Sequence, residues 1–353
     1  MRSNRLTASV VAIMALWATS CGKPRVVPPT SPFPPKGRWE MAPEAPLSSA
    51  LASDGTSIFA ALSNGSVVAL DPASGGVLWT RTGLGPGFVA ARAGSLVLVE
   101  RSGTVWGLSP ADGTARWKTG TSVTDVRSVR LDANRVFLGG ASGFAAVIVS
   151  TGEVRFDLAA TDVMTIDVAG DFLTAIEGGA LVERGREDGA VVFRVESPEG
   201  KFGAPALFAD GRVVVGSGTR LVRAVSQKGK FGWRFKVGAR VQDRPLDFGD
   251  HKRVGIISFE GVFYEVSLGG GDMRRRVLLP SRPYGPAMLV GGRVFAPIFE
   301  DEIVVIDPRT TKLVGRTKLG GGFLSQPLLV GGRLVAEISS PRRLVGLELV
   351  PGP

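Results

Sequence analysis

The feature that most constrains this chain is a turn-and-aromatic signature that returns about every forty residues. Its clearest copy is Ala69-Leu70-Asp71-Pro72-Ala73-Ser74-Gly75-Gly76-Val77-Leu78-Trp79. An apolar strand ends at Leu70, and Asp71-Pro72 opens a tight turn. Gly75 accepts the positive φ that closes it, and a second strand carries the bulky Trp79. The aromatic slot recurs as Trp39, Trp79, Trp117, Phe156, Phe193 and Trp233, then degenerates to Met273 and Gly315, with gaps of 37 to 42 residues. The turn before the slot recurs as Ser74-Gly75, Asp112-Gly113, Thr151-Gly152, Asp188-Gly189 and Lys228-Gly229, later as Gly269-Gly270 and Thr310-Thr311.

Each unit reads as four short strands. In the first unit these are 47–52, 57–62, 66–70 and 77–81. Apolar runs of this length between Gly, Asp, Ser and Asn turns indicate an all-β repeat. A period near forty with four strands per unit is that of a propeller blade, whose faces are buried only by neighbouring blades. The ends set the blade count. The last unit begins near Phe323 and stops at Pro351-Gly352-Pro353 without an outermost strand, while Gly37-Arg38-Trp39-Glu40 is an outermost strand without a blade. The fold class is therefore an all-β, eight-bladed propeller of four-stranded antiparallel blades. The N-terminal strand pairs into the last blade and removes the open edges there. Seven blades is the alternative, because some units are degenerate.

The segment before the repeat has a different composition. Arg2 and Arg5 precede an apolar run, Leu6 to Ala18, that is short for a membrane span. Ala18-Thr19-Ser20 are small residues directly before Cys21. This is the layout of an export signal over residues 1–20. It resembles the lipobox of bacterial lipoproteins, which implies cleavage before Cys21 and lipidation of its sulfur. Cys21 is the single cysteine of the chain, so no disulfide forms within it. Gly22 occupies the place where an Asp implies inner-membrane retention in enterobacteria, so the lean is to the outer membrane. Residues 21–36 hold Pro24, Pro28, Pro29, Pro32, Pro34 and Pro35 and read as an extended tether of about 3.1 Å per residue. Residues 37–353 form the propeller domain.

The pattern at 69–79, a second copy from Gly107 to Trp117 and a partial one at Val305-Ile306-Asp307-Pro308 are similar to the pyrroloquinoline-quinone-like propeller repeat. That resemblance implies a structural role for the signature: Trp39, Asp71, Gly75, Trp79, Gly113, Trp117, Phe156, Phe193 and Trp233 dock one blade on the next. Export signal, lipobox, tether and repeats together resemble the BamB lipoproteins of the outer-membrane β-barrel assembly machinery. The resemblance implies a non-catalytic, lipid-anchored periplasmic scaffold, a monomer within a complex, with protein partners in the envelope. The alternative is an envelope propeller that binds a small ligand or glycan in its central funnel, or in rare cases a quinone-dependent enzyme.

Catalytic readings find little support. Quinone-dependent dehydrogenases with this repeat carry a vicinal cysteine pair, and this chain has one cysteine. The single histidine, His251, sits in a turn-like Gly249-Asp250-His251-Lys252 and supplies neither a His-rich metal site nor a triad beyond itself. Glu300-Asp301-Glu302 reads as a solvated hairpin turn rather than a calcium site. Gly320-Gly321-Gly322 lacks the Gly-Lys-Ser/Thr of a phosphate loop. No cofactor and no metal is expected. The net charge of +10 attracts anionic surfaces. Its densest expression is Arg274-Arg275-Arg276, a candidate contact for lipid head groups, lipopolysaccharide or an acidic protein loop. Export argues against nucleic acid, and the aromatics fall at packing slots instead of between the basic residues.

Overall fold

In the computed structural model the strands pair as eight antiparallel sheets of four strands each. The structure describes residues 37–241, 243–299 and 301–349. Cys21, the leader and the tether lie outside the described residues. Blade one comprises Ala52–Ser53, Ile58–Ala61, Val67–Leu70 and Val77–Arg81. Blades two to seven begin at the axis with Gly87–Arg92, Ser128–Leu131, Val163–Ala169, Phe202–Leu207, Leu246–Asp247 and Met288–Val290. They end on the rim with Ala115–Gly120, Val154–Ala159, Val191–Val195, Phe231–Lys236, Met273–Leu278 and Lys312–Lys318.

Blade eight has Leu328–Val330, Arg333–Ile338 and Arg343–Glu348, and its rim strand is Gly37–Met41 from the other end of the chain. The two ends pair in register from Gly37 opposite Glu348 to Met41 opposite Leu344. The ring is thus an eight-bladed propeller closed by its own N-terminal strand. Without that strand Arg343–Glu348 would be left as an unpaired edge strand.

The core is divided among the junctions between blades. The buried clusters each draw from two neighbours: Phe59 and Val67 of blade one pack with Leu96 and Leu98 of blade two, and Val335 and Leu344 of blade eight with Ile58 and Leu70 of blade one. The same holds at the other six junctions. The two middle strands of a blade are buried on both faces, hence their continuous apolar runs.

The slot aromatics sit at the outer end of these junctions. The Trp79 indole N–H donates to the Pro110 carbonyl at 2.9 Å, and its ring lies against Gly113 of the next blade's turn. Trp39 donates to Pro72, Trp117 to Val149 and Trp233 to Leu268 in the same way. Their rings cover Gly75, Gly152 and Gly271, while Phe156 and Phe193 cover Gly189 and Gly229. These turn glycines have φ between 68° and 77°. A Cβ on Gly113, Gly152 or Gly271 would stand 2.7 Å from the indole. Asp71 holds the turn by accepting from the Ala73 N–H at 2.6 Å. The large slot residue is opposed by a small one on the adjacent strand: Ala69 for Trp79, Gly107 for Trp117, Ala146 for Phe156 and Gly346 for Trp39.

Three local expectations shift. The first strand of blade one is Ala52–Ser53, and Leu47 keeps only an isolated bridge to Leu62. Ser48 and Ser49 turn to blade two instead, Ser48 Oγ donating to the Gly87 carbonyl at 2.6 Å. In blade six the turn glycine is Gly271 rather than Gly270. The slot of that blade is Arg275 rather than Met273: Arg275 opposes Glu265, and Met273 precedes the bulge and is exposed. Gly315 does hold the slot of blade seven, opposite Val305. The turn on which a blade-seven aromatic would dock does not exist, because blade eight takes its rim strand from the N-terminus.

Candidate partner-binding face

The ring has two faces. One carries the repeat turns. The other carries the hairpins that follow the second strand of each blade and the linkers that join blades. Linkers are long around one arc, at 237–245, 279–287, 319–327 and 42–51, and short at 160–162.

Two phenylalanines mark this arc. Phe259 follows Arg253–Ser258 of blade six, and Phe299 follows Arg293–Ile298 of blade seven. The same place holds Leu62, Arg101, Gly140, Gly178, Gly218 and Ser339 in the other blades. Backbone bonds strap the linkers to these hairpins. The Phe259 N–H donates to the Arg240 carbonyl, the Phe299 N–H to the Arg282 carbonyl, and the Tyr284 N–H to the Pro297 carbonyl, all at 2.9 to 3.0 Å.

The straps fix the side chains. Arg240 lies over the Phe259 ring at 4.5 Å, with Arg282 on the same ring at 5.7 Å. Tyr284 meets Phe299 edge to face, centroids 4.9 Å apart. Tyr284 is 43% exposed, Phe299 42% and Leu324 40%. Tyr284 and Phe299 border a cleft of about 340 Å³ between blades seven and eight, lined also by Gly320, Gly321, Gly322, Asp301 and Ser339. Exposed aromatics with arginines on a rigid frame are the composition of interface centres, where Tyr and Arg carry much of the binding energy. Among the described residues neither Arg240 nor Arg282 makes an ion pair, while Asp243 lies in the same hollow as Arg240 and Asp301 edges the cleft, so the patch holds charges of both signs.

The other sequence candidates lie elsewhere. Asp71, Gly75, Gly113 and the slot aromatics are in the blade junctions. Arg274, Arg275 and Arg276 are on the rim strand of blade six. Arg274 and Arg276 are exposed, while Arg275 is half-buried 3.3 Å from the buried Glu265. Glu302 is not solvated: it is buried and paired with Arg316. Asp301 holds the positive-φ corner beside it, and Glu300 lies outside the described residues. His251 occupies another positive-φ corner and is exposed. Among the described residues no three His, Cys, Asp or Glu side chains gather closely enough to hold a metal ion. Sequence reasoning missed Phe259, Phe299, Tyr284 and Arg240. The available signal was two consecutive units with Phe directly after the second strand.

The profile of a family described as outer membrane protein assembly factor BamB matches residues 36–187. Over 83 residues the chain is 34% identical to outer membrane protein assembly factor BamB of Xanthomonas campestris pv. campestris, a match spanning 24% of this chain and 20% of that protein. Among solved structures, BamB from Moraxella catarrhalis superposes with a TM-score of 0.55 at 18% identity, over 88% of this chain and 87% of that one. The computationally designed Ika8 protein gives 0.73 at 15% identity, covering 88% and 98% of the two chains. Saccharomyces cerevisiae Sqt1 gives 0.72 at 13%, covering 89% and 98%. At these identities the structural likenesses show the fold alone. Taken with the repeat and the closed ring, the partial family match makes this chain a β-propeller of pyrroloquinoline-quinone-like repeats that resembles the BamB assembly factors.

Proposed function

We propose that the protein is a non-catalytic scaffold of the bacterial envelope, anchored by a lipid on Cys21, that works with the outer-membrane β-barrel assembly machinery. The observation that carries this reading is the BamB family match over residues 36–187. The face around Tyr284 and Phe299 supports it, because that surface of exposed aromatics suits a protein segment with an apolar side chain for the cleft. Residues 1–20 serve as the export signal, residues 21–36 as tether, and the ring acts from the periplasmic side of the outer membrane. The slot aromatics and their turns build the scaffold and bind no ligand. The exposed guanidiniums of Arg274 and Arg276 contribute a secondary contact to anionic head groups.

The test is co-purification of the tagged, full-length chain from detergent-solubilised envelopes. Recovery with the barrel-assembly proteins is expected, and recovery of the chain alone overturns the scaffold reading. For the anchor, Cys21→Ser is expected to move the protein into the soluble fraction. Retention of that variant in the membrane fraction overturns the lipid assignment.

A further inference from the structure

The outer edge of the ring is uneven in charge. Blade five exposes Lys230 in its turn and Arg234 and Lys236 on its rim strand. Blade six exposes Arg274 and Arg276, and blade seven exposes Lys312. None of these six makes an ion pair among the described residues. Along these three rims and the turns that lead into them, Asp272 is the one exposed acid among the described residues. Other rims are mixed or neutralised. Blade three sets Glu153 and Asp157 beside Arg155, and blades four and eight pair Arg194 with Glu196 and Arg38 with Glu40.

Apolar side chains stand among the free cations. Phe231, Met273 and Leu313 oppose Val225, Val266 and Ile306, the equivalent position just across the bulge in three successive blades. All three are exposed, Met273 by 51%, and Leu278 at the far end of the blade-six rim by 72%. Blades one and four also expose apolar rim residues, Val77 and Leu78, Val191 and Val192. Those lack such a surround: the rim strand of blade one carries Arg81 alone, and the Arg194 of blade four is paired.

We propose that the rim of blades five to seven docks on a bilayer surface of anionic phospholipid head groups, with Phe231, Met273 and Leu313 dipping between them. Lys and Arg gain from the negative surface potential, and apolar side chains gain by reaching the acyl boundary. The spread over three blades suits an extended surface more than a single acidic peptide. The segment 21–36 joins the ring at Gly37, on the neighbouring rim of blade eight. There Arg38 Nη2 donates at 3.0 Å to the carbonyl of Leu319, which directly follows the rim strand of blade seven. The chain thus enters the ring beside this edge, and docking by the edge leaves the linker face free. The inference deepens the head-group contact given to Arg274 and Arg276 and rests on the envelope reading. Its test is vesicle binding, which reads out independently of co-purification.

The measurement is sedimentation with vesicles, using the full chain with Cys21→Ser in every sample, so that no acyl group contributes and the leader is common to all. Binding is expected to be tighter on phosphatidylcholine vesicles containing phosphatidylglycerol than on phosphatidylcholine alone, and to fall as salt is raised. Arg274→Gln/Arg276→Gln is expected to weaken it at least about tenfold. Met273→Ser/Leu313→Ser is expected to weaken it about threefold or more. Arg116→Gln/Arg155→Gln removes the same charge from the rims of blades two and three and is expected to change it less than about twofold. On the anionic vesicles, hydrogen exchange is expected to slow in 231–236 and 273–278 and not in 154–159. Equal binding to both kinds of vesicle, equal losses in the two arginine pairs, or no slowing of the blade-five and blade-six rims overturns the proposal. Binding to soluble polyglutamate with none to the anionic vesicles assigns the edge to an acidic protein and overturns the membrane docking.

Discussion

Trp79 and Gly113 belong to neighbouring blades, yet the indole of one occupies the space that a side chain on the other would need, with a Cβ on Gly113 only 2.7 Å from the ring. The glycine answers two demands at once. Its φ of 75° is left-handed, and its bare Cα lets the tryptophan close the junction. The same pairing is repeated around most of the ring.

Gly113→Ala combines backbone strain with a clash and is expected to destabilise the fold by about 3 kcal/mol. Gly94→Ala separates the two effects. Gly94 has a φ of 78° with open space around its Cα, so only strain of about 1 kcal/mol is expected. Urea denaturation of both variants checks the difference; equal losses would show that the Trp79 contact contributes nothing.

The period, the strands and the closure of the ring were legible because they rest on local chemistry. Asp71 and Gly75 announce a turn wherever they stand, and an unpaired Trp39 strand needs a blade. The slot of blade six was less legible. Counting forty from Trp233 lands on Met273, whereas the spacing from Leu70 to Trp79 lands, when taken from Val266, on Arg275. An arginine there escapes an aromatic search, and the Glu265 that holds it lies on another strand. Tyr284 and Arg240 sit on linkers with no repeat register.

Trp39 closes the ring through its bond to the Pro72 carbonyl and its cover over Gly75. Trp39→Ala is expected to cost about 3–5 kcal/mol and to release the strand Gly37–Met41 first. Hydrogen exchange checks this. Trp117→Ala, which has the same chemistry inside the continuous chain, is expected to leave residues 37–41 protected. Equal exposure of that strand in both variants would contradict a local closing role.

Glu183 is buried opposite Phe193, and one of its carboxylate oxygens has no hydrogen-bond partner. Burial pushes its pKa up to about 7 from an unfolded value of 4.5. Between those values the folded chain holds a proton that the unfolded chain has lost. Stability therefore falls as pH rises from 4.5 to 7 and changes little from this group on either side. Glu183→Gln keeps the neutral form and is expected to be more stable than the parent by about 2 kcal/mol at pH ~8. Urea midpoints across pH 4 to 8 are the measurement; a slope unchanged in the variant would assign it to other groups.

Arg275 and Arg274 are adjacent but differently placed. Arg275 neutralises Glu265, which is 1% exposed and is also met by Arg253 at 3.4 Å. Arg275→Ala is expected to cost about 1–2 kcal/mol, since Arg253 retains part of the pairing. Arg274→Ala is expected to be neutral within about 0.5 kcal/mol. Thermal midpoints decide, and an equal response would remove the distinction between slot and surface.

The exposed aromatic pair offers the sharpest separation of scaffold from function. Tyr284 and Phe299 each keep about two-fifths of their surface in water, so truncating them sacrifices little burial within the ring. The double variant Tyr284→Ala/Phe299→Ala is expected to lose about 1–2 kcal/mol of stability, much of it from the edge-to-face contact. Its partner affinity is expected to fall by about 2 kcal/mol or more, roughly thirtyfold. A matched control truncates Val191 and Val192, exposed on the rim strand of blade four, and is expected to leave partner recovery intact. Quantitative co-purification at equal expression, with circular dichroism to confirm folding, checks both. If the rim variant loses the partner and the aromatic variant keeps it, the contact lies on the rim and not over blades six to eight.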